Sequence, residues 1–160
     1  MFRRVLQQNC IAIPTTLIRR KPFDEVRGFD EALDCLEDKD LWLRLLLDGN
    51  RFHYLGENLA IYRNSAGSLS KNVSKMYRGR MRLLEKLDRV MEHPSFMTPT
   101  EWQRERRQYY EHAQWERAYG FLQNRSYGNA LRYGNPAYLG LSAASLRHTS
   151  RVLLNAVLRK

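Results

Sequence analysis

The sequence predicts an α/β first part over residues 1–72, with short strands, followed by an all-α extension over residues 73–160, so that the chain is mostly helical overall. Three observations carry this reading. β-Branched and apolar residues bunch in IAIPTTLIR (11–19) and RFHYLGENLAIYR (51–63), the composition of short strands. Between them LEDKDLWLRLLLDG holds one of the greasiest helical runs in the chain. From Val73 onward apolar residues recur at three- and four-residue steps, the period of amphipathic helices.

Taken in order, 11–19 reads as a strand or buried extended segment, with Pro14 marking an edge or bend. KPFDEV then reads as a short helix with Pro22 near its start, and RGFDEAL as a turn in which Gly28 can take a positive φ. In the greasy run, Leu41 and Leu45, Trp42 and Leu46, and Leu43 and Leu47 are i,i+4 pairs. Apolar residues therefore cover most of this helix, which predicts burial on several sides. Asp48-Gly49-Asn50 should end it, with Gly49 in the left-handed position. RFHYLGENLAIYR gives two short strands around Gly56-Glu57-Asn58, and NSAGSLS a loop. These strands are too few to close a sheet by themselves.

The second part opens with a helix over about 73–92, carried by Val73, Met76 or Tyr77, Met81, Leu84, Leu87 and Met91 and broken at His93-Pro94. TPTE is a strong helix start: Thr98 caps, Pro99 sits at N1 and Glu101 at N3 completes a capping box. That helix should run to about Asn124. A helical turn over 127–133 and an amphipathic helix over 138–160 complete the reading.

Composition narrows the function classes. The longest apolar runs are only a few residues, too short for a membrane-spanning helix, and MFRRVLQQNCIAIP lacks the apolar core of a signal peptide. Cys10 and Cys35 are too few for a disulfide framework or zinc site, which fits a reducing cytoplasm. The last acidic residue is Glu116, so residues 117–160, with seven Lys/Arg and no acid, carry +7 of the net +10. Such a basic tail suits an anionic partner, such as a membrane surface or a phosphorylated substrate, and equally suits a solvated helical face.

The acids Glu37, Asp38 and Asp40 gather at the mouth of the apolar helix. One reading is helix-start electrostatics, since each acid in a first turn contributes about 0.3–1 kcal/mol against the macrodipole. The other is an active site. Three acids are more than a helix start needs. A helix this apolar would also hold its first turn rigidly at the edge of the core, where partial loss of hydration makes a carboxylate a better base near neutral pH. The chemistry served would be deprotonation of a hydroxyl or of water.

GFDEAL, EDKDLWLRL and LAIYR, in this order and spacing over 9–70, resemble the C-terminal half of the catalytic domain of family 2 glycosyltransferases. These are inverting enzymes of the GT-A, Rossmann-like type, in which the corresponding stretches commonly read GGFDE, EDWDLWLRL and LA-YR-H. The resemblance implies transfer of a sugar from a nucleotide-sugar donor to the hydroxyl of a glycan or lipid-linked acceptor, of the kind used in cell-envelope polysaccharides. It also implies that Asp38 is the base taking the acceptor proton, with Glu37 as its alternate or orienting partner. Asp40, Trp42, Arg44, Tyr62 and Arg63 become substrate-side candidates. Trp42 and Arg44 have packing and pinning of the helix as their other role, and Arg63 could help a leaving diphosphate.

The departures from the family pattern are specific. Arg27 stands at the first glycine of GGFDE, and Ser65 at the histidine after YR. The family's nucleotide-binding half, with an Asp-x-Asp motif that holds Mg²⁺ or Mn²⁺, precedes these motifs, and only eight residues precede Asn9 here. The resemblance therefore leads us to expect an acceptor-side portion that does not bind a nucleotide sugar alone, with the divalent-metal ligands elsewhere. AQWERAYGFLQNRSYGNALRY is similar to a single tetratricopeptide-like hairpin, against which a plain helical extension is preferred. The last helix could lie on an anionic membrane face, which would make the protein cytoplasmic and peripheral at the inner face of the plasma membrane. A non-catalytic interaction module derived from such an enzyme is the alternative. Nucleic acid ranks last as a partner, because the acids of EDKD repel phosphate.

Overall fold

The computed structural model describes residues 1–8, 10–61, 68–92 and 96–134. Among these, helix is the only repeated structure: α1 (Phe2–Gln7), α2 (Arg20–Glu25), α3 (Glu37–Leu47), α4 (Val73–Val90), α5 (Pro99–Gln123) and α6 (Tyr127–Gly134), with single 3-10 turns at Ile13–Thr15 and Leu69–Lys71.

The expected short strands are the main correction. No strand forms among the described residues. Pro14 sits inside a 3-10 turn rather than at a strand edge. Residues 51–61 contain no helix or strand, and none of their backbone groups hydrogen-bonds to another backbone group among the described residues. The physical reason is partnership. A strand exists only through a neighbour that takes its ladder hydrogen bonds, and β-branched composition cannot supply one.

The helices follow their local signals. Phe2, Val5 and Leu6 form a buried stripe at i, i+3, i+4 and make α1 the lid of the core. After α2 the chain turns through two consecutive left-handed residues, Arg27 (φ 63°) and Gly28 (φ 61°). α3 stops as its sequence requires. Gly49 takes φ 83°, its N–H donates to the Leu46 carbonyl (3.2 Å), and the Asn50 N–H donates to that of Leu45 (2.9 Å). This closes a Schellman motif. Asn72 caps α4 by accepting from the Lys75 N–H (2.9 Å). The capping box of α5 is formed in both directions between Thr98 and Glu101.

α4 and α5 lie against each other, and Gly120 of α5 sits so close to Val73 that a Cβ there would come within 2.5 Å of a valine methyl. α6 folds back on α5, with Phe121 and Tyr133 stacked at 5.7 Å. The Arg117 guanidinium lies between the rings of Tyr77 (4.1 Å) and Tyr133 (3.5 Å). The core joins Leu6, Leu41, Leu43, Leu83, Trp102 and Tyr109 from α1, α3, α4 and α5 in one cluster, so residues on both sides of position 72 share it. No helix among the described residues is long and apolar enough to cross a membrane. The helix expected over 138–160 lies outside the described residues.

Candidate functional site

The acidic mouth of α3 is built on a strained turn. Leu36, the residue before the helix, is left-handed at φ 63° and makes no side-chain cap. That conformation costs a residue with a Cβ about 1–2 kcal/mol and persists only where the surroundings over-determine it. Here they do. Leu36 and Cys35 are both buried, and Cys35 seats against Gly79 of α4, where a Cβ would lie 2.2 Å from its Sγ. Burial, chiefly, pushes the Cys35 thiol pKa up.

The three acids part company on this frame. Asp40 is 2% exposed and fully engaged. Its Oδ2 accepts from Arg44 Nε at 2.7 Å, and its Oδ1 lies 2.8 Å from Lys86 Nζ. Arg44 also donates to the carbonyls of Val26 and Gly28, the latter at 2.6 Å. Lys86 reaches Asp30 at 2.6 Å, and this hydrogen bond is the main cause holding the Asp30 carboxyl below its usual range. Asp40 is thus the hub tying α3 to the 26–30 turn and to α4. Glu37 and Asp38 are half-buried. Asp38 Oδ1 accepts the Lys39 N–H at 2.7 Å, standing in for the absent cap. Its second oxygen and the Glu37 carboxylate have no hydrogen-bond or ion-pair partner among the described residues.

Trp42 and Arg44 serve the helix. Trp42 is buried with its Nε1 unpaired among the described residues and its ring edge-on to Phe52 at 5.9 Å. Arg44 is the clamp just described. Tyr62, Arg63 and Ser65 lie outside the described residues.

Lys39 is not singled out by the sequence motifs and proves central. Only 2% exposed, it donates from Nζ to the Leu6 carbonyl of α1 (3.0 Å) and lies 5.5 Å from the centre of the Tyr109 ring. Burial first, then the Arg80 charge, push its pKa down to about 8, against the pull of Glu116 and Asp38. Tyr109 is pushed up to about 12 by the same burial. Burial would raise Glu116 as well, but the His112 hydrogen bond (3.2 Å), Arg80 and Lys39 hold its carboxyl below the usual range. Lys39, Arg80 and Glu116, from α3, α4 and α5, therefore form one charged cluster that begins at the residue after Asp38. The KD step in EDKD is its only signal in the sequence, because burial is a property of the assembled helices.

A metal does not fit these acids. Both oxygens of Asp40 are taken by cations, and no group of three His, Cys, Asp or Glu side chains converges among the described residues. A cleft of about 170 Å³ between α4 and α5, lined by Met81, Leu84, Asp88, Arg106 and Tyr110, includes none of the site candidates. Compared with protein-family models, characterised proteins and solved structures, the chain matches none.

Proposed function

We propose that this chain supplies the acceptor side of an inverting GT-A-type glycosyl transfer, with Asp38 as general base. The observation that carries this reading is the contrast at the mouth of α3. Asp40 is consumed by structure, whereas Glu37 and Asp38 keep oxygens that are unpaired among the described residues, on a strained edge. The order and spacing of GFDEAL, EDKDLWLRL and LAIYR support it. In the step, Asp38 takes the proton of an acceptor hydroxyl as that oxygen forms a bond to the anomeric carbon. The bond from that carbon to the leaving nucleoside diphosphate breaks on the opposite face, which inverts the centre. Glu37 orients the acceptor hydroxyl or its neighbour. Lys39 and the charges behind it fix the turn on which Asp38 rides. A divalent ion would belong to donor-binding residues other than those described, and a lipid-linked acceptor would place the protein peripherally on a cytoplasmic membrane face.

The test is amide NMR of the folded chain titrated with oligosaccharide acceptors, and separately with UDP-sugars and Mg²⁺. Shifts centred on Glu37–Lys39 with glycans and not with UDP-sugars are expected. Glycan titrations that leave these amides unmoved would overturn the assignment.

A further inference from the structure

The segment after α3 exposes far more apolar surface than a solvated loop. Within residues 51–57 Tyr54 is 92% and Leu55 67% exposed, and Leu59 (69%) and Ile61 (96%) continue the apolar run just beyond them. Apolar side chains bunched in this way mark a contact surface rather than scatter. The same segment leaves its backbone N–H and C=O groups without backbone partners among the described residues. Lipid could cover the side chains but not those backbone groups. A strand can do both, by adding ladder hydrogen bonds and apolar cover together.

We propose that residues 51–57 pair antiparallel with the same residues of a second copy, centred on Tyr54. Charge complementarity singles out this register. An isologous pair places residue i of one copy opposite residue 108 − i of the other. Arg51 then faces Glu57 of the second copy and Glu57 faces its Arg51, so the only two formal charges of the segment are neutralised twice. His53 faces Leu55, and Tyr54 faces Tyr54. Phe52, anchored edge-on against Trp42 at 5.9 Å, faces Gly56, where a Cβ would meet nothing within 4 Å. A ring covering a cross-strand glycine is a favoured pairing. The chain bends at Glu57, which ends the strand where the register ends. This pairing is independent of the transfer chemistry.

Sedimentation velocity over a dilution series tests it, on the whole chain and on Arg51→Glu, Glu57→Arg and the double exchange, each checked for unchanged helical circular dichroism. A dimer is expected. Each single exchange should weaken it roughly tenfold, because two opposed pairs become like-charged, and the double exchange should restore it. A monomer at every concentration overturns the proposal. So does a double exchange no tighter than the singles, or growth to open polymers.

Discussion

Replacing Gly79 with alanine probes the strained turn at a distance. The new methyl would lie 2.2 Å from Cys35 Sγ, 3.4 Å from the Cys35 carbonyl oxygen and 3.7 Å from Leu36 Cδ1. Two effects oppose each other. Alanine in a helix interior is favoured over glycine by about 1 kcal/mol. Overpacking a closed contact costs about 1–3 kcal/mol, and here the obstacle is a buried sulfur close to its own backbone, with little room to retreat. The net expectation is destabilisation of up to about 2 kcal/mol, read as a lower urea midpoint at unchanged slope. The clash has one partner, so Cys35→Ala should rescue it, with a favourable coupling of about 1 kcal/mol or more in the double-mutant cycle. Gly79→Ala should also move the amide resonances of Glu37 and Asp38, because Leu36 is wedged by the same contact. A variant more stable than the parent by the helix propensity alone, or a cycle with no coupling, would refute the reasoning.

Other outcomes follow from the same geometry. Asp40→Asn leaves Arg44 and Lys86 short of their buried partner and should cost about 3–5 kcal/mol, while Asp38→Asn should cost less than about 1 kcal/mol; thermal unfolding of the pair checks the contrast. In any assembly that turns over, Asp38→Asn should lower transfer by about 10²-fold or more, and near-parental turnover would remove Asp38 as base. Lys39 has a folded pKa of about 8 against 10.5 unfolded, so between those values the unfolded chain holds more protons and stability rises with pH. Lys39→Met should abolish that rise and be the more stable protein at pH 7; a parent-minus-variant stability difference that stays flat from pH 8 to 10.5 would contradict this. Arg27→Gly should stabilise by up to about 1 kcal/mol, since Arg27 holds a left-handed φ at an exposed site, and a lower melting temperature would count against it.

What could be read from the sequence was whatever is decided within a few residues. The Thr98–Glu101 box, the Gly49 stop and the α4 period depend on neighbours along the chain, and all three stand in the structure. The strands at 11–19 and 51–61 did not form, because a strand is decided by a second strand that local composition cannot reveal. α1 is legible in the stripe of Phe2, Val5 and Leu6, but its six residues are too few for periodicity to declare a helix without the core it covers. At the site, the acids could be seen to cluster. Their division of labour could not, since it depends on Lys86 reaching back from α4 to claim Asp40, while Glu37 and one oxygen of Asp38 have no hydrogen-bond or ion-pair partner among the described residues. Lys39 was hidden for the same reason: it is charged in the sequence and buried only once α1, α4 and α5 close over it.

That burial gives the protein a built-in reporter. Burial lowers the Lys39 pKa and also shields its amine beneath the Leu6 carbonyl, so the side chain meets an acylating reagent only after it regains water and an ordinary lysine pKa. Exposed lysines such as Lys21 and Lys71 would be labelled at once, and Lys39 only when the first helix lifts. The rate at which that one side chain is tagged therefore measures how often the lid opens over the turn that carries Asp38.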